Sequence, residues 1–119
     1  MNRPGQVEPN AFELAILDRI AAKSQSLRIN PRHLHVLSRE FTGVGSYTNF
    51  RCDDKGTQTS LQPIALDDLI IMPNVENGMG AVLFWQGDQP KCLETHTFGA
   101  ELWDGVFEGF HIQKATEPP

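Results

Sequence analysis

Three groups of residues in this 119-residue chain have the types and spacing to do chemistry. The first is His33-x-His35, with Glu40 further along the same run. On a strand, positions i and i+2 face the same side, so two imidazoles there can share a metal ion. No later motif supplies the missing ligands, and a bulge suspected at Val36–Leu37 leaves the facing of Glu40 open. The expectation is therefore no metal, with His33 and His35 the residues that would hold one. The second group is Cys92, Glu94 and His96, a thiol, a carboxylate and an imidazole on one face of a strand. Cys92 and His96 are four residues apart, about 13 Å at strand rise, too far for a nucleophile to meet its base. A neighbouring strand would have to bring His35 or His111 to complete a catalytic set. The third is Asp67-Asp68, which reads as a solvated turn. No P-loop, dinucleotide glycine fingerprint, Gly-x-Ser-x-Gly or His-Glu-x-x-His is present. No catalytic residue and no cofactor is expected.

These side chains need elements to position them. Asn10 followed by Glu13 is a capping-box helix start. Phe12, Ile16, Leu17 and Ile20 then fall on one helical stripe, with Glu13, Asp18, Arg19 and Lys23 assigned to the other side. This predicts an amphipathic helix over 10–24. After Pro31 the signals are for strands. Segments 33–42 and 44–52 are rich in β-formers; Asp53–Gly56 is a turn and the polar stretch to Ser60 a loop. Residues 61–72 form a strand or a loop feeding one, and their two flanking prolines permit only an edge or short strand. The most apolar run, 79–86, reads as a central strand. Gly87–Pro90 turns the chain, and 91–98 returns as its hairpin partner. Residues 101–105 make a corner and 106–112 a last strand. Runs of one element type mean α+β, with one N-terminal amphipathic helix on a mostly antiparallel sheet of five or six strands. One helix covers one face of such a sheet, and the other face must curl, pair or meet solvent.

The aromatic-rich second half holds Trp85, Trp103, Phe107 and Phe110. Most belong to the core. Trp103, at a polar corner between Leu102 and Asp104, is the one expected to be exposed and to anchor a partner.

Two segments resemble small uncharacterised bacterial proteins. Ser38-Arg39-Glu40-Phe41-Thr42-Gly43-Val44-Gly45 is similar to their Ser-Arg-Glu-aromatic-Thr-Gly-x-Gly segment. Gly80-Ala81-Val82-Leu83-Phe84, then Leu93-Glu94-x-x-Thr97-Phe98-Gly99, resembles their Gly-x-x-Leu-Phe strand and the segment that follows it. Here Thr95-His96 replaces a Gly-Tyr pair. The resemblance implies a bacterial origin and a stand-alone domain, and brings no established activity with it. It draws attention to Arg39, Glu40 and Glu94, ionisable residues inside strands, which are costly to bury unless paired.

Composition narrows the partners. Ten Lys and Arg against fifteen Asp and Glu leave a net charge of −5, which argues against a nucleic acid or an anionic membrane. The length suits one domain over 1–119, with 1–8 and 114–119 expected to fray. Without an apolar leader or span, the expected compartment is the cytoplasm, where Cys52 and Cys92 stay reduced. The first functional reading is a small acidic binding protein acting on another protein, immunity- or inhibitor-like, through an acidic patch of Asp53, Asp54, Asp67, Asp68 and Glu76. The second is a small-molecule-binding or self-associating β-domain, with a possible homodimer. It predicts a pocket over the sheet lined by Arg39, Tyr47, Glu94 and His96. The third is a hydrolytic enzyme, which needs His35, His96 or His111 to meet Glu40 or Glu94. The binding residues expected across these readings are Arg39, Glu40, Tyr47, Glu94, His96 and Trp103.

Overall fold

The computed structural model of the chain describes residues 8–23, 30–51, 61–87 and 89–114. The chain ends at 1–7 and 115–119, Ser24 (expected as the helix's last residue), Cys52, and the turn expected at 53–56 with the loop expected after it lie outside the described residues.

Helix α1 runs Ala11–Lys23. Its start is the capping box: the Glu13 N–H donates to Asn10 Oδ1, and the Asn10 N–H to Glu13 Oε1, each at 2.8 Å. Phe12, Ile16, Leu17 and Ile20 are all fully buried. Each such side chain contributes roughly 1.5–3 kcal/mol when removed from water. The stripe therefore anchors the helix to the sheet. Glu13 departs from expectation. It is only 1 % exposed and faces the sheet with the apolar stripe, because partners waiting there satisfy its charge.

Among the described residues seven strands form one antiparallel sheet: β1 Val36–Phe41, β2 Gly45–Phe50, β3 Leu61–Ala65, β4 Leu69–Met72, β5 Val75–Gln86, β6 Gln89–Thr97 and β7 His111–Gln113. The spatial order is β1-β2-β6-β5-β4-β7, with β3 also against β5. The fold is thus the expected α+β, with one α-helix among the described residues, and its strand count exceeds the five or six expected. The extra strand comes from a break. β3 pairs the end of β5 and β4 pairs its beginning, so the two follow one another along one side of a long strand. Between them the Leu66 N–H still donates to the Ala81 carbonyl at 2.8 Å. Asp68, at the break, points to the helix. There it meets Arg19 Nη1 at 2.9 Å and Lys23 Nζ at 3.2 Å. A carboxylate 5 % exposed inside the 61–72 run interrupts the strand to reach its counter-charges.

Two further segments differ from expectation. His33 lies in a 3₁₀ turn, Pro31–His33, capped by the Asn30 side chain on the Arg32 N–H, and β1 begins only at Val36. The suspected bulge is present, between Val36 and Ser38. At the other end, 101–110 is not a strand. It crosses the sheet's helical side and packs an aromatic cluster against the start of α1. Phe12 meets Trp103, Phe107 and Phe110 with ring centroids 5.3–6.2 Å apart, and Phe41 meets Trp103 and Phe107 at 5.7 Å. Gly105 and Gly109, at φ +80° and +84°, supply backbone conformations that a strand does not use. Trp103 is consequently 6 % exposed. It belongs to the core and not to the surface anchor expected of it.

Candidate binding surface

Strand alternation sorts the polar residues onto two faces. On β6, Pro90, Leu93, Thr95 and Thr97 are buried on the helical side, so Cys92, Glu94 and His96 point to the opposite face. Cross-strand register extends that face into rows. Glu40 lies beside Tyr47, Tyr47 beside Glu94, Glu94 beside Val82 and Val82 beside Ala65. The neighbouring row is Ser38, Asn49, Cys92, Phe84 and Pro63. Five strands at the usual spacing make each row about 19 Å wide. Leu69 and Ile71, alternating with buried Ile70 and Met72, add exposed apolar surface on the same side.

Glu40, Tyr47, Glu94 and His96 therefore share one open face. Arg39 does not join them. One residue from Glu40, it faces the helix, and its guanidinium makes a bidentate pair with Glu13: Nε to Oε2 and Nη2 to Oε1, each 2.7 Å. Hydrogen bonding to Glu13 holds the Arg39 pKa above its ordinary value, despite partial burial. Thr48 Oγ1 donates to Glu13 Oε2 at 2.6 Å and completes the cluster. Parity along β1 carried this signal, since consecutive strand residues point to opposite faces.

His96 is held by its surroundings. Its ring packs edge-on against Phe98, with centroids 5.5 Å apart. It also lies over Gly80, where a Cβ would come within 2.9 Å of Nε2. Gly80 is thus the floor that admits the ring. His96 Nδ1 is buried without a hydrogen-bond partner, 4.0 Å from Glu94 Oε2. Asn49 Nδ2 donates to Ser38 Oγ at 3.0 Å and to Glu40 Oε2 at 3.2 Å, which fixes the Glu40 carboxylate. Burial, then Glu94, then Glu40, push the Cys92 thiol above its ordinary pKa. A thiol held protonated is a poor nucleophile.

The other sequence candidates are dispersed. His33 is in the 3₁₀ turn and His35 precedes β1, so the shared strand face proposed for them does not form. Among the described residues no cluster of three or more His, Cys, Asp or Glu is placed to hold a metal. The acidic patch is not assembled from its described members. Asp68 is buried between Arg19 and Lys23, Asp67 lies 3.6 Å from the same Lys23, and Glu76 is exposed at the start of β5. Asp53 and Asp54 lie outside the described residues. A cavity of about 430 Å³ opens beside the end of α1, lined by Asp18, Arg19, Ala22, Lys23, Asp68 and Lys114. It is on the helical side, away from Tyr47, Glu94 and His96.

No family model, no curated protein and no solved structure matches the chain. Among the described residues no helix is long and apolar enough to cross a membrane.

Proposed function

We propose that this chain is a small non-enzymatic binding protein of the cytoplasm, immunity- or inhibitor-like, that docks another protein on the sheet face opposite α1. One observation carries the reading. The helix and the 101–110 segment pack on one side of the sheet, while Tyr47, Leu69, Ile71 and Phe98 are exposed on or beside the other. An aromatic and apolar face set among polar side chains has the composition of a protein interface. The enzymatic alternative has less support. His35 adjoins β1 and His111 is on β7, at opposite ends of the strand order, with His96 between them on β6. Cys92, the described thiol on that face, has its pKa raised by burial, then by Glu94 and Glu40, which disfavours the thiolate.

The test is site-specific photocrosslinking in the native host. A photoreactive phenylalanine analogue replaces Tyr47 or Phe98 on the face, and Asp18 on the exposed side of α1 as control. The reading expects the same protein captured from both face positions and not from Asp18. No protein capture from the face, or equal capture from all three, refutes it.

A further inference from the structure

The open face carries a specific charge arrangement, and it points to the chemistry of what binds there. Glu40, Tyr47 and Glu94 are direct cross-strand neighbours on β1, β2 and β6. The two carboxylates therefore flank the tyrosine ring, about 10 Å apart at backbone level. Neither has a lysine or arginine partner among the described residues. Glu40 accepts from the Asn49 amide, and Glu94 Oε2 lies 4.0 Å from His96 Nδ1 without a hydrogen bond between them. This differs from the acids of the helical side, where Glu13 pairs with Arg39, and Asp68 with Arg19 and Lys23. Among the described residues, the buried acids have cationic partners and this pair has none. The Cys92 thiol lies beside the row, where burial first, and then Glu94 and Glu40, hold its pKa above the ordinary value.

We infer that the docked partner presents an arginine side chain, flanked by apolar residues, to the Glu40–Tyr47–Glu94 row. A guanidinium suits this geometry better than an ammonium. Its plane stacks on the Tyr47 ring while its five donors reach carboxylates on either side. The apolar flanks follow from the row's continuation, Val82 and Ala65, and from exposed Leu69 and Ile71. The inference rests on the docking reading above and names the partner's chemistry at that same face.

The experiment titrates the full chain, followed by its backbone amide resonances, with two blocked peptides. One is Ser-Val-Arg-Val-Arg-Val-Ser and the other carries glutamine for both arginines. The arginine peptide is expected to shift the amides of Glu40, Tyr47 and Glu94, and to bind more tightly than the glutamine peptide. Glu40→Gln and Glu94→Gln should each weaken it about two- to fivefold, the range of an ion pair with one solvent-facing partner, and leave the glutamine peptide unchanged. Glu40 is exposed on an edge strand, so its variant tests charge without disturbing the fold. Equal binding of both peptides on this face overturns the arginine inference while leaving the docking face standing. Shifts confined to the helical side, or none with either peptide, also overturn it. Failure of the docking reading itself appears separately, as failed photocrosslinking. A second copy of the chain as the occupant would appear as a dimer in sedimentation, and would overturn an arginine-bearing partner protein.

Discussion

Replacing Arg39 with methionine tests how helix and sheet are joined. Glu13 is 1 % exposed and accepts four hydrogen bonds, from the Asn10 N–H, Arg39 Nε, Arg39 Nη2 and Thr48 Oγ1. Arg39→Met keeps the length of the aliphatic stem and removes two of the four, both charge-assisted. Such bonds are worth about 1.5–3 kcal/mol each. Breaking a buried pair by removing one partner costs about 3–5 kcal/mol, because the other charge stays buried and uncompensated. The Arg39 side chain is 21 % exposed, so water re-enters to Glu13 in part, and the lower end, about 3 kcal/mol, is expected. That is a large share of the roughly 5–15 kcal/mol by which domains are stable. Urea unfolding followed by tryptophan fluorescence and far-ultraviolet circular dichroism reads the loss as a lower midpoint at unchanged slope. Arg39→Lys keeps the charge, loses the bidentate geometry and should fall between. Adding Glu13→Gln to Arg39→Met removes the stranded charge and should recover part of the loss. A cost for Arg39→Met below about 1 kcal/mol would refute the reasoning, since the pair would then behave like a solvated surface bridge.

Three further outcomes follow from the same contacts. Gly80→Ala puts a methyl 2.9 Å from His96 Nε2 and 3.0 Å from Phe98 Cζ, both side-chain ends. It should displace the two rings, moving the His96 ring resonances, at a stability cost of about 1–3 kcal/mol from overpacking; unchanged His96 resonances would contradict the floor assigned to Gly80. Cys92 should react with iodoacetamide more slowly than a free thiol at neutral pH, and faster in the Glu40→Gln/Glu94→Gln double variant, because removing both carboxylates lowers the raised thiol pKa. Peptide mapping separates it from Cys52, and an unchanged rate in the double variant would count against the field on that face. Glu101 binds the backbone N–H groups of Glu76 and then Asn77, which hold its carboxyl below the ordinary range. A depressed carboxyl stabilises the fold above its unfolded pKa, and that contribution is lost as pH falls through the folded value. Glu101→Gln should therefore flatten the acid limb of a stability-versus-pH curve, and an unaltered limb would dismiss the link.

What was legible in the sequence was local. The capping box, the helical stripe, the β5–β6 hairpin and the bulge after Val36 all follow from residues within a few positions of one another. What was not legible was decided by distant residues. Glu13 carries the signature of an exposed helix start, yet its burial depends on Arg39 and Thr48, 26 and 35 positions away. Trp103 sits between exposed Leu102 and Asp104 in sequence, and against Phe12 and Phe41 in space. The apolar alternation of 106–112 imitates a strand. Gly105 and Gly109 were the available warning, and their tight approaches to Phe41 and Pro73 show what a side chain there would disrupt.

The candidate face was legible to the extent that pleating is regular, and Arg39 and Glu40 show how far that reaches. The two are adjacent and of opposite charge, so in sequence they read as one polar feature. The pleat separates them. Arg39 spends its charge on a buried carboxylate and joins helix to sheet, while Glu40 remains on the open side with a side-chain amide as its polar neighbour. Their substitutions should therefore divide cleanly. Arg39→Met lowers the urea midpoint, and any binding lost with it returns under conditions that restore the fold. Glu40→Gln leaves the midpoint in place and changes only what docks on the sheet. A Glu40→Gln variant as unstable as Arg39→Met would mean that the open face is part of the core's charge balance, and the separation of stability from binding across one strand would fail.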